Sequence, residues 1–203
     1  MIGIIDYGVG NIKAFSNIYK NLNMSYRILK NSNDFENITK LILPGVGSFD
    51  HAMISLQNSG MREKLDELVL EKKIPVIGIC VGMQMLANSS EEGVLPGLGW
   101  IDATVKKFDK TKIKNCPLPH MGWNTVNIEK KNRIFDSIED NPRYYFLHSF
   151  YFQCENLTDV LASSIYGDKF ESIVNHENIY GIQCHPEKSH HNGIQILKNF
   201  GKI

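Results

Sequence analysis

Pro75-Val76-Ile77-Gly78-Ile79-Cys80 is a continuous apolar run that breaks at Cys80-Val81-Gly82, and Gln84 to Ala87 beyond it opens a helical pattern. An apolar run without polar alternation reads as a strand buried on both faces, the signature of a parallel sheet covered by helices. A strand running into a Cys set between glycines, with a helix leaving it, is the context of a nucleophile elbow in which Cys stands for Ser. The glycines have a steric reason. A sharp strand-to-helix turn forces unusual backbone angles at the nucleophile and brings neighbouring chain so close that no side chain fits. That turn sets the Cys80 sulfur at a helix N-terminus, where free N–H groups and the helix dipole favour thiolate. The same N–H groups, Val81's among them, can hold an oxyanion. Taken alone, the stretch also admits a buried structural cysteine at a strand end.

Outward from this run the first half alternates strand and helix. Ile2 to Ile5 is a short apolar strand ended by Asp6-Tyr7-Gly8-Val9-Gly10, followed by helical spacing at Ile12, Phe15, Ile18, Tyr19 and Leu22. Tyr26 to Leu29 is a weaker strand, and Leu41-Ile42-Leu43 breaks into Pro44-Gly45-Val46-Gly47. Helices are expected from about Asp50 to Leu56 and from Met61 to Leu70. This alternation predicts a parallel sheet with helices on both faces. From Trp100 onward the texture changes to short strands, at Trp123–Ile128, Arg143–His148, Phe150–Cys154, Val160–Ile165 and Glu171–Val174. They predict a mostly antiparallel sheet joined to the first core, with a terminal helix over Ile194–Phe200. No repeat or linker divides the halves, so residues 1–203 read as one domain.

Composition narrows the function. The 203 residues carry 22 basic and 22 acidic side chains, a formal net charge of zero. A hydrophobic fraction of 42% excludes a disordered chain, and the charge balance argues against nucleic acid, whose binders need a basic excess. Four cysteines without a Cys-x-x-Cys pair suggest neither a disulfide framework nor a zinc site. The N-terminus has no basic segment of a signal peptide, and the Ile74–Leu86 run is too short to span a bilayer. The expected setting is soluble, reducing and cytoplasmic, with no membrane partner. Gly8-Val9-Gly10 lacks the third glycine of a dinucleotide fingerprint, and His190-His191 has no nearby third ligand, so neither a cofactor nor a metal is expected.

A cysteine nucleophile needs a base, and the base an orienting group. His185-Pro186-Glu187, after an Ile179–Gln183 strand, offers both. Two apart in an extended segment, His185 and Glu187 project to one side. Cys184 points the other way and is read as packed. The glycine turn Pro44–Gly47 also follows a strand, so it is expected to face the crevice of Cys80 and to supply a second oxyanion donor.

Taken together these stretches resemble the class I (triad) glutamine amidotransferases: Gly-Ile-Cys-Val-Gly-Met-Gln at 78–84, Pro-Gly-Val-Gly at 44–47 and His-Pro-Glu-Lys-Ser at 185–189. Asp-Tyr-Gly-Val-Gly-Asn at 6–11, Pro-His-Met-Gly-Trp-Asn at 119–124 and Tyr-Phe-Leu-His-Ser-Phe at 145–150 sharpen the likeness toward the branch formed by glutaminase subunits of imidazole glycerol phosphate synthases. The ordered set covers essentially the whole chain. The resemblance implies a flavodoxin-like α/β fold: a mostly parallel sheet flanked by helices, with an additional antiparallel sheet in the C-terminal half. It implies that Cys80 attacks the glutamine carboxamide, His185 shuttles the proton and Glu187 orients His185, with Val46 and Val81 as oxyanion donors. Gly47, Gln84, Glu92, His148, Ser149 and Phe150 match glutamine-binding positions. Asn11, Trp123 and Lys188 match the face that docks a synthase subunit of (βα)8-barrel type, giving a heterodimer for histidine biosynthesis. Val81, Phe150 and Cys184 stand where Leu, Tyr and Phe are commoner. Two further readings follow from the same likeness: a paralogue supplying ammonia for amidination of a bacterial surface sugar, and a non-catalytic regulatory subunit.

Overall fold

The four apolar runs of the first half do pair in parallel. In the computed structural model, which describes residues 1–113 and 116–203, they are β1 (Ile2–Ile5), β2 (Tyr26–Leu29), β3 (Lys40–Gly45) and β4 (Val76–Cys80). They lie in the order β2-β1-β3-β4, with Ile4 opposite Ile28 and Ile42, and Gly45 level with Cys80. All four residues of β1 and all five of β4 are buried, as continuous apolar strands require. Between them run α1 (Ile12–Asn21), α2 (Phe49–Asn58) and α3 (Arg62–Asp66). The crossovers leave β1 and β3 in opposite directions, so right-handed connections put α1 and α2 on opposite faces. The helix expected over Met61–Leu70 is α3 followed by a wider π turn over Glu67–Glu71, closed by Lys72 N–H donating to the Glu67 carbonyl at 3.0 Å.

The helix after Cys80 is shorter and earlier than its expected Gln84 start. It is α4 (Val81–Gln84), a single turn. The reason lies downstream: Leu98 donates to the Met85 carbonyl, Trp100 and Ile101 to that of Leu86, and Gly99 to that of Ala87. These bonds, at 2.7 to 3.1 Å, occupy the acceptors a continuing helix would need.

The second half supplies β5 (Ser89–Ser90), β6 (Ala103–Lys107), β7 (His120–Thr125), β8 (Asn127–Ile128), β9 (Arg143–His148), β10 (Phe150–Cys154), β11 (Val160–Tyr166), β12 (Asp168–His176) and β13 (Ile179–Ile182). The strand expected over Trp123–Ile128 is divided at Val126, which is fully buried, into β7 and β8. β13 returns to the parallel core beside β4, with Gly181 opposite Gly78. β12 then pairs antiparallel with β13, and β10, β6 and β5 extend the same sheet, with β11 and β8 along the other edge of β12. The separate antiparallel sheet is small: the ribbon β7–β9, with His120 opposite His148 and Trp123 opposite Tyr145. α5 (His190–Phe200) closes the chain against α1, Tyr19 Oη donating to the Leu197 carbonyl at 3.1 Å. Among the described residues no helix is long and apolar enough to cross a membrane.

Candidate active site

Four parallel strands, β1, β3, β4 and β13, deliver their carboxyl ends to one crevice, as the topology of an open α/β sheet dictates. At the end of β4, Cys80 has φ +56° and ψ −112°, a conformation that costs a side-chain-bearing residue about 1–3 kcal/mol. Packing enforces it. A Cβ on Gly82 would lie 1.9 Å from the Leu43 carbonyl oxygen, and one on Gly78 would lie 2.5 Å from that of Gly82. A Cβ on Gly45 would meet Gly82 N at 2.3 Å. The glycines therefore let the elbow sit directly on the end of β3.

Beyond β13 the chain turns instead of running straight. Residues Pro186–Lys188 form one 3-10 turn, so His185 and Glu187 meet around a bend rather than along the extended segment expected from their spacing. Pro186 at its start fixes φ for that turn. His185 Nδ1 lies 2.9 Å from Glu187 Oε1, and the two side chains are 4% and 2% exposed. Nδ1 donates there, leaving Nε2 for the Cys80 sulfur. Burial, the largest single influence on His185, lowers its proton affinity, but the hydrogen bond to Cys80 and that to Glu187 together raise its pKa to about 10. The turn is anchored to the ribbon: His185 N–H donates to the Tyr145 carbonyl at 2.8 Å, and Ser189 Oγ bridges the Tyr145 N–H and the His185 carbonyl. Cys184 is fully buried on the far side.

The crevice has a volume of about 520 Å³, and Cys80, His185 and Glu187 all line it. So do Asn11, Val46, Gly47, Val81, Gln84, Glu92, His148, Ser149, Phe150 and Lys188. Gly47 has φ +86°, in the left-handed region that favours glycine. Gln84 is 3% exposed, and its amide nitrogen donates to the Phe150 carbonyl at 3.1 Å and to Gln183 Oε1 at 3.0 Å. Glu92, rather than its neighbour Glu91, turns inward; its Oε2 accepts from the Phe49 N–H at 2.9 Å, at the start of α2. Of the expected site residues Trp123 alone stands outside the lining. It is 39% exposed and stacked on His190 at 5.0 Å and 6°. Beside it Lys188 Nζ sits 5.6 Å over the Tyr145 ring.

Sequence reading missed two groups. Gln183 extends its amide nitrogen to within 3.8 Å of the Cys80 sulfur, and His120 lies 2.9 Å from His148. Period-two alternation along β7 carried a signal for His120, because an outward Trp123 turns His120 and Asn124 inward.

The fold, the elbow and the paired His185 and Glu187 define a class, and the chain belongs to it: the family model for class I glutamine amidotransferases matches residues 3–203. Among its relatives, the imidazole glycerol phosphate synthase subunit HisH of Leptospira borgpetersenii is 52% identical over 204 residues, with both chains covered in full. The subunit of the same name from Bdellovibrio bacteriovorus is also 52% identical at full coverage of both. A HisH 2 subunit of Pseudomonas aeruginosa is 44% identical, again over all of both chains. Among solved structures, a glutamine amidotransferase superposes with a TM-score of 0.75 at 17% identity, covering 100% of this chain and 99% of its own.

Proposed function

We propose that this chain is the glutaminase subunit of an imidazole glycerol phosphate synthase, working in the cytoplasm with a (βα)8-barrel synthase subunit in histidine biosynthesis. The observation that carries the reading is the convergence of Cys80, His185 and Glu187 in one crevice, on a chain that matches HisH subunits from end to end. The Cys80 sulfur attacks the glutamine carboxamide carbon. A C–S bond forms, and the carbonyl electrons move to oxygen as an oxyanion held by the N–H groups of Val46 and Val81. His185, which keeps its proton through neutral pH, gives it to the nitrogen as the C–N bond breaks and ammonia departs. The thioester then accepts a water whose proton His185 takes, and glutamate leaves with the thiolate regenerated. Glu187 holds Nδ1–H and stabilises the imidazolium.

The pocket groups divide by what they still offer. Both amide hydrogens of Gln84 are engaged, so its carbonyl oxygen, with the second oxygen of Glu92, is what remains to accept from the substrate α-ammonium. Gly47 and the backbone of His148, Ser149 and Phe150 bind the remaining polar end. Ammonia protonates in water, so the crevice must be covered while it works. Asn11 and Lys188 line the crevice and Trp123 is exposed nearby on the ribbon, and an aromatic anchor and a steering charge would suit a docked subunit.

The test is the assembled complex with the protein that co-purifies with this chain. Cys80→Ala should lower glutamine-dependent turnover by on the order of ten-thousand-fold while leaving turnover with added ammonia intact. Undiminished glutamine-dependent turnover overturns the reading. A co-purifying synthase that acts on a surface sugar instead reassigns the acceptor.

A further inference from the structure

His148 carries more than a place in the pocket lining. Its Nδ1 lies 2.7 Å from the Phe150 carbonyl, two residues on, so the ring clasps the turn that presents Ser149 between β9 and β10. A carbonyl only accepts, so Nδ1 must donate, and the neutral ring is left with Nε2 as an acceptor. His120 Nδ1, on the facing strand of the ribbon, lies 2.9 Å from that Nε2 and must therefore carry its own hydrogen. His120 Nε2 in turn takes the Asn124 amide at 3.3 Å, while the same amide also donates to the Ile165 carbonyl. The direction of every bond in the chain is thus fixed from its Phe150 end. That carbonyl is also the acceptor for Gln84, whose amide holds Gln183, whose own amide approaches the Cys80 sulfur.

We infer that His120 is a positioning residue for the glutamine pocket: it holds the His148 ring, and through it the 148–150 turn and the Gln84 amide, in the arrangement that receives the substrate. The inference rests on the glutaminase reading for its substrate, but its geometry is this chain's own. The His120 ring is packed for the role, stacked between Phe146 at 4.9 Å and Tyr166 at 4.0 Å. Burial lowers the pKa of His120 to about 4 and, as the largest of several influences, that of His148 to about 3, so both rings are neutral donors near pH 7. No charge enters the chain, and its value is directional.

His120→Phe preserves the stacking and removes the donor. It should raise the glutamine KM of the assembled enzyme about 2- to 12-fold, the range for one lost hydrogen bond, with kcat changed less than about twofold. His120→Asn, whose amide reaches the Nδ1 position, should recover most of the loss. An unchanged KM in a folded His120→Phe protein overturns the inference, as does failure of His120→Asn to improve on it. Nitrogen-15 NMR of the unmodified chain judges the network without any variant or turnover. Both imidazoles should be Nδ1–H tautomers, and an Nε2–H form of either ring sinks the proposal. An inactive complex with both tautomers as expected would count against the glutaminase reading and leave the positioning geometry standing.

Discussion

His185 is the residue whose surroundings make the sharpest demand. Burial opposes its charge, yet Cys80 and Glu187 hold its proton to about pH 10. A group whose folded pKa lies above its unfolded value of about 6.5 stabilises the fold fully below that pH, and its contribution disappears as pH rises through about 10. Thermal unfolding of the wild type should therefore fall between pH 7 and 10 by more than that of Cys80→Ala, where the sulfur partner is gone. The His185 ring, followed by NMR, should titrate lower in the variant. Equal titration in both proteins would show that the sulfur does not hold that proton. Much of this residue-level logic was legible in the amino-acid sequence, because glycines around a strand-end Cys leave few steric explanations. The chain of His120, His148, Gln84 and Gln183 was not, because amide and imidazole partners are set by strand pairings distant in sequence.

Element boundaries were decided by such distant contacts as well. The apolar runs located the strands, but α4 stops after one turn because residues 98–101 occupy the carbonyls of residues 85–87, which a continuing helix would need. The start of α2 shows the same dependence. Its Ser48 side chain makes no capping bond, and Glu92 supplies the acceptor for Phe49 N–H instead. Asp50 in the first turn returns the favour, accepting from Val94 N–H at 3.0 Å and Leu95 N–H at 3.1 Å. Close approach makes this possible, since a Cβ on Gly93 would lie 1.9 Å from Asp50 Oδ1. The clasp ties the loop carrying Glu92 to the helix, so Asp50→Ala should cost about 1.5–3 kcal/mol, the range for lost hydrogen bonds to a charged acceptor. Denaturant unfolding measures that loss. Because Glu92 is released with the loop, the glutamine KM of the complex should rise as well; stability lost with KM unmoved would separate the clasp from the pocket.

At the scale of the molecule, the sheet explains why residues from 11 to 188 share one crevice. Strands β1, β3, β4 and β13 are parallel neighbours, so the turns that follow them open on the same edge. The ribbon β7–β9 stands off this sheet and approaches the crevice from one side, with His120 inward and Met121 and Trp123 outward. The short strands expected at Trp123–Ile128 and Arg143–His148 anticipated the ribbon but not its separation from the main sheet, which depends on Val126 turning into the core between β7 and β8. That separation leaves the Met121 and Trp123 face of β7 exposed, while the other face carries His120 against His148. Trp123, 39% exposed and stacked on His190, is the large aromatic side chain on the exposed face. If the proposed synthase subunit docks there, Trp123→Ala should weaken its binding at least about 30-fold, as a buried interfacial aromatic anchor does, at about 2 kcal/mol or more. The unfolding temperature of the isolated chain should scarcely move, because the ring is not part of its core. Titration calorimetry with the purified partner separates the outcomes: unchanged affinity moves the docking face away from the ribbon, and a large loss of the chain's own stability would make Trp123 structural.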